Sequence, residues 1–218
     1  MMNLPDKRNG IYDLCNFSQF LSSEVMRVLD QSRHGKKQEI QFHKSFESVQ
    51  TFISQAIEIA KEQAKSSHIQ IDHKWQKMIV NNDSRFFFDK NRLKLVLSKI
   101  LSNAIKHSPE YSTVSVRTNL EKHENNTELW PCWNLVVTVI DNGPGFVEEQ
   151  QRQFMSKQIR LFKLNPCDSL GLNSFFGLSF CKMVSESHSG DLAIKSVPRR
   201  GAQIVMRFSI IMDTASPI

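Results

Sequence analysis

Apolar positions along this chain follow two different rhythms. Between residues 11 and 33, Ile11, Leu14, Ser18, Leu21, Val25 and Val28 recur in steps of three and four. That spacing predicts a helix with a seam suited to a bundle or coiled coil. The run Arg33-His34-Gly35-Lys36-Lys37 predicts its end, because glycine stops a helix and cations suit its negative end. A second helix is predicted from about Ser45 to Lys65, with Phe46, Val49, Phe52, Ile53, Ala56, Ile57 and Ala60 on one side.

Beyond residue 68 the period drops to two in several places. Ile69, Ile71 and His73 alternate with polar neighbours, as do Val114, Val116, Thr118 and Leu120. Leu135, Val137 and Val139 alternate and deliver Asp141 on the same face at a strand's end. Leu192-Ile194 and Ile204-Met206-Phe208-Ile210 repeat the pattern, with helical spacing at about 89–107 and 176–188 between them. The expected fold is α+β: a sandwich of one mixed sheet covered by helices on one face, preceded by a long bundle helix. The expected domains are 1–40, part of a bundle helix, and 41–218, with the boundary near residues 36 to 45.

Composition narrows the class. Of 218 residues, 40% are apolar and 23% charged, as in globular rather than disordered chains. No run of about 18 apolar residues exists, and Met1 to Gly10 lacks the apolar core of a signal peptide. Cytoplasm is the expected location, and any membrane part of a longer parent would lie outside this segment. Cys15, Cys132, Cys167 and Cys181 form no CxxC pair, so reduced structural thiols are expected. The formal charge of +6 is spread without a basic block or aromatic interleaving, which disfavours nucleic acid and suits a protein that handles polyphosphate.

Three constellations carry candidate chemistry. Asp141-Asn142-Gly143-Pro144-Gly145-Phe146 follows a predicted strand; its glycines allow a close approach to a ligand, and its carboxylate can accept from an exocyclic amine. A hairpin turn would use the same Asn-Gly pair. On the helix from Asp89 to His107, the residues Lys99, Asn103 and His107 share one stripe. Asn103 can offer an amide oxygen to a hard cation such as Mg²⁺; a solvated polar face would look the same. Finally, Gly171 to Phe180 opens a helix running to His188, where free backbone N–H groups favour a phosphate.

The order of these motifs is more specific than any one of them. Asp-x-x-Arg-Leu, Asn-Ala-Ile-Lys-His, Asp-Asn-Gly-Pro-Gly, Gly-Leu-Ser-Phe and His-Ser-Gly-Asp-Leu-x-Ile-x-Ser follow one another across residues 68 to 211. This series resembles the catalytic ATP-binding domain of sensor histidine kinases, in the gyrase, Hsp90, histidine kinase and MutL (GHKL) superfamily. The resemblance implies ATP and Mg²⁺ as cofactors, with Asn103 holding Mg²⁺ and Lys106 and His107 beside the phosphates or the base. It implies Asp141 on the adenine amino group, Gly143 and Gly145 shaping that side, and Gly177 and Leu178 at the phosphate end. Residues 147 to 174 would form a lid lacking regular structure, with Phe154, Ile159, Leu161 and Phe162 toward the bundle helix. The implied partners are a response-regulator receiver domain, a missing phosphoacceptor helix of the same kinase, and a second copy through the N-terminal helix; no nucleic acid partner is implied.

Three departures bear on activity. Lys99 stands where the family has Asn or Asp and its hydrolysing cousins have a general-base Glu, which argues against simple hydrolysis. Lys99 either touches a phosphate oxygen or turns to solvent. Phe175 replaces the first glycine of Gly-x-Gly-Leu. No histidine is followed by an acid and Thr-Pro: His34 precedes Gly35-Lys36 and His43 precedes Lys44-Ser45. A kinase reading therefore requires the accepting histidine elsewhere. The competing readings are a degenerate domain that regulates by interaction, and a serine kinase of anti-sigma type, which the N-terminal helix disfavours.

Overall fold

In the computed structural model, residues 43–77, 84–123, 131–155 and 172–213 are described. The expected bundle helix at 11–33 and its glycine stop lie outside these residues. Among the described residues, eleven elements run in the order β1 (Ser45–Ser48), α1 (Val49–Lys65), β2 (Gln70–Lys77), β3 (Arg85–Phe88), α2 (Lys90–His107), β4 (Thr113–Lys122), β5 (Cys132–Ile140), α3 (Glu148–Met155), α4 (Leu172–Ser187), β6 (Gly190–Ser196) and β7 (Ala202–Met212). The strands make one seven-stranded sheet in the order β1-β3-β7-β5-β4-β2, with β6 also paired to β7. Among the described residues only β2 and β4 pair in parallel; the other ladders are antiparallel. β7 carries β5 along one edge from Gln203 to Ile211, and β6 and then β3 along the other. The expected α+β sandwich is the fold observed.

The alternation at the sequence level becomes burial. Leu135, Val137 and Val139 of β5 and Ile204, Met206, Phe208 and Ile210 of β7 are buried, and so are Val114, Val116 and Leu120 of β4. α1 begins at its cap, where Ser48 accepts a hydrogen bond from Thr51 N at 3.3 Å. Val49, Phe52, Ile53, Ala56, Ile57, Ala60 and Ala64 then line its buried face. The expected helix start at Ser45 is corrected here. Ser45–Ser48 pairs with β3 as a strand, and Phe46 is an exposed side chain set against Phe87, with ring centroids 5.2 Å apart. A four-residue strand that borrows its partner from residues 85–88 has no local periodicity to announce it. β3 itself escaped the period test for the same reason, although Phe86 and Phe88 are buried on one face.

A buried polar junction fixes the start of α2. Asp89 caps the helix by accepting from Arg92 N at 3.0 Å, and its other oxygen accepts from His43 N at 2.8 Å. The Arg92 guanidinium lies 3.5 Å from the same carboxylate with both side chains buried. Asp89 N donates to His188 Nε2 at 3.1 Å, joining the start of α2 to the end of α4. The His188 ring also meets Phe208 edge-on at 5.9 Å. Burial, and then the charge of Lys44, hold His188 at about 4, below its ordinary 6.5.

The depressed value has a definite sign. Below pH 6.5 the unfolded chain protonates this histidine while the folded chain does not until about pH 4, so stability falls as pH drops through that window. At pH 5 the expected loss relative to pH 7.5 is about 2 kcal/mol. Urea unfolding of wild type and His188→Gln at the two pH values checks this. The Gln variant, which retains an acceptor for Asp89 N, is expected to be weaker at pH 7.5 but to show a smaller pH loss.

Candidate functional site

Asp141 leaves β5 with its backbone still in the ladder, its N–H donating to Ala202 O at 2.9 Å. Its side chain turns back on the loop. Oδ1 accepts from Gly143 N at 2.8 Å and from Ala202 N at 3.2 Å. Oδ2 accepts nothing among the described residues. Burial outweighs the two N–H donors and holds this carboxyl above the usual carboxylate range. One oxygen is thus committed to structure, and the other remains available in a buried setting.

The Asp141–Phe146 loop is clamped by the β6–β7 turn. Arg199 N donates to Pro144 O at 2.7 Å, and Phe146 N donates to Ser196 Oγ at 2.8 Å. Ser196 Oγ in turn donates to Gly201 O at 2.7 Å. Gln151 Nε2 bridges Phe146 O and Ser196 O, each at 3.0 Å. Gly145 has φ +68, and a Cβ there would stand 2.5 Å from Val197 O. Gly201 has φ +84, and a Cβ there would collide with Asp141 O. Sequence reasoning missed Ser196, Gly201 and Gln151. The only local signal was Gly201 itself, following Pro198-Arg199-Arg200 before an alternating strand.

Gly143 joins this loop to α2. A Cβ on it would lie 2.8 Å from His107 O and 3.0 Å from Asp141 Oδ1. The carboxylate and the imidazole sense each other's charge, although burial and then Lys106 keep His107 below its ordinary value and therefore neutral at pH 7. Asn103 stands one helical turn back along the stripe, ~6 Å along the axis. It is 7% exposed, and its Nδ2 is buried with no hydrogen-bond partner among the described residues. Stranding an amide donor in this way costs about 1–3 kcal/mol. Lys99, a further turn back, lies against Gly177 of α4: a Cβ at that glycine would collide with Lys99 Cε.

The structure thus brings Asp141, Gly143 and His107 together, and strings Asn103 and Lys99 along α2 toward Gly177. Lys106 is exposed. The Leu178 side chain is buried in the core, leaving its backbone as the part able to face a ligand. One expectation about the lid segment, its lack of regular structure, is corrected. Its first part is helix α3, Glu148–Met155, because Gln151 anchors it to the clamp described above. Phe154 is buried, with the Lys182 ammonium over its ring at 5.2 Å, and its carbonyl accepts from Lys182 Nζ at 3.1 Å; its expected contact with the bundle helix falls on residues outside those described. Residues 156–171, with Ile159, Leu161 and Phe162, and the Phe175 side chain lie outside the described residues.

Burial raises the Cys181 thiol to about 12, which makes it an inert core group. No group of three or more His, Cys, Asp or Glu side chains among the described residues could cage a metal. No helix among them is long and apolar enough to cross a membrane.

Comparison with known proteins identifies the family and the fold. Residues 88–211, more than half of the chain, match the model of the family described as histidine kinase-, DNA gyrase B- and HSP90-like ATPases. The chain belongs to that family. The adaptive-response sensory kinase SasA of Synechococcus sp. (strain CC9311) is 34% identical over 119 residues, 54% of this chain and 28% of that protein. SasA of Prochlorococcus marinus (strain MIT 9313) is 33% identical over 119 residues, 54% of this chain and 29% of that protein. The matched segment therefore spans less than a third of these curated relatives. Among solved structures, full-length ShkA in complex with AMPPNP superposes with TM-score 0.62 and 18% identity, over 99% of this chain and 41% of that one. The catalytic domain of histidine kinase ThkA has the same fold, with TM-score 0.52 and 19% identity over 78% of this chain and 96% of that one.

Two substitutions test the architecture of the site. Gly201→Ala forces a side chain into a left-handed backbone and against Asp141, and is expected to lower unfolding free energy by about 2 kcal/mol or more in urea melts. Asn103→Leu replaces a stranded amide with an apolar side chain of similar size. In the absence of nucleotide it is expected to leave stability unchanged or raise it, by up to about 2 kcal/mol.

Proposed function

We propose that this chain is the ATP-binding catalytic portion of a two-component sensor histidine kinase. It transfers the γ-phosphoryl group of Mg-ATP to a histidine outside this segment, from which the group passes to a response-regulator aspartate. The observation that carries the reading is the pairing of a half-committed buried carboxylate at Asp141 with a stranded amide at Asn103, on elements joined at Gly143 and His107. Family membership and the SasA similarity support it.

The residues present fit the nucleotide. Asp141 Oδ2 is the acceptor for the adenine amino group, with Oδ1 held still by two backbone donors. Gly143 and Gly145 keep the loop close, because a Cβ on either would push it off its neighbours. Neutral His107 lies between the base and the phosphates, with Lys106 at the exposed side. The Asn103 amide has an acceptor end for Mg²⁺ and a donor end for a phosphate oxygen, and Gly177 with the Leu178 backbone borders the phosphate end. When bound, Mg²⁺ supplies charge neutralisation along the triphosphate. The protein's own part is positioning and charge, since phosphoryl transfer asks for little else. None of these residues acts as a general base.

Residues 1–40 are proposed as part of a dimerisation helix. The proposed partners are the phosphoacceptor helix of the same kinase, a second copy through the N-terminal helix, and a receiver domain; the proposed location is the cytoplasm.

The deciding experiment incubates the chain with γ-labelled ATP and a separately expressed upstream segment containing the acceptor histidine. Acid-labile label on that segment, appearing only when both pieces are present and lost with Asp141→Asn, is the expected result. Absence of label together with absence of calorimetrically detected ATP binding at millimolar nucleotide would instead establish a regulatory domain without kinase activity.

A further inference from the structure

Lys99 occupies an unusual place for a lysine. On an amphipathic helix the long stem normally lets the ammonium reach open water. Here the side chain is half-buried between α2 and α4, and it lies so close over Gly177 that a Cβ at that position would collide with Cε and stand 3.2 Å from Nζ. No carboxylate among the described residues pairs with it. α2, from Lys90 to His107, contains no acid at all. α4 contains only Glu186, at the opposite end and 4.0 Å from Lys182. The charge of Lys99 is felt on both sides of the helix pair, opposing protonation of His107 and favouring the thiolate of Cys181. It sits one turn from Asn103, on the stripe of α2 that also carries His107.

We propose that the Lys99 ammonium is a built-in cation of the phosphate end of the site, holding polyphosphate oxygens directly and carrying part of the neutralisation otherwise left to Mg²⁺. The inference rests on the nucleotide reading above and concerns how that same site treats charge. A partly desolvated ammonium without a counter-charge attracts an anion more strongly than one in bulk water. Gly177 belongs to the same device: without a side chain there, the lysine stem has a track across α4. The consequence is that nucleotide binding tolerates loss of Mg²⁺, and that affinity depends on the phosphates rather than on the base alone.

The test measures binding of adenosine and of ADP to the full chain by calorimetry, in EDTA and in Mg²⁺. Wild type is expected to bind ADP in EDTA more tightly than adenosine, with Mg²⁺ improving ADP affinity by less than about threefold. Lys99→Asn is expected to lose about tenfold or more in ADP affinity in EDTA, to recover it with Mg²⁺, and to bind adenosine as wild type does. Gly177→Ala pushes the flexible lysine aside rather than the helix. It is expected to reproduce the loss in EDTA with Lys99 still present, and a urea melt confirms that each variant is folded. Unchanged ADP affinity in EDTA for folded Lys99→Asn, with adenosine binding intact, overturns the inference and leaves the nucleotide site standing. Failure of wild type to bind either adenosine or ADP removes both together.

Discussion

The site depends on how the two oxygens of Asp141 are divided. Oδ1 accepts from Gly143 N and Ala202 N, so one atom holds the turn after β5 and stitches it to the start of β7. Oδ2 is left without a partner among the described residues. A carboxylate held at one oxygen cannot rotate away, so the second keeps a fixed direction before any ligand arrives. Burial raises the energy of its charged form, and the N–H donors offset only part of that. A group kept in that condition suits a donor that arrives with a ligand.

Around this carboxylate the chain spends stability in several places. Among the described residues the Asn103 donor is buried without a partner and Lys99 lies half-buried with no acid beside it, while Gly145 and Gly201 sit in left-handed backbone. Each would be easier to satisfy on an ordinary surface helix or turn. Local rules fail most often where a protein binds something. Asp89, Arg92 and His188 are also buried; hydrogen bonds and charge join them to one another, and they serve the junction between α2 and α4.

The strands β2, β4, β5, β6 and β7 and the helix α2 were legible because each is long enough for its period to repeat. Asp141 was legible as a strand-end carboxylate, and Asn103, His107 and Lys99 as one helical stripe. The short elements were not. Ser45–Ser48 continues a helical spacing and becomes a strand only because residues 85–88 lie beside it. α3 was read as irregular lid because its hold on the fold, through Gln151, is a contact with Ser196 far along the chain. Ser196 and Gly201 look like ordinary hairpin residues until the Asp141 loop is laid against them.

The amino-acid order alone determined the α+β class, the long strands, the buried faces of α1 and α2 and the motif series that marks the family. These follow from periodicity and local chain geometry, which act between residues a few positions apart. Only the tertiary structure decided that Gly143 rests on the His107 backbone, that Oδ1 of Asp141 is committed while Oδ2 has no partner among the described residues, and that the Lys99 side chain lies across Gly177. Those outcomes depend on which groups from distant segments reach the same few ångströms, and on which of them is left without a hydrogen bond or a counter-charge once packing is complete.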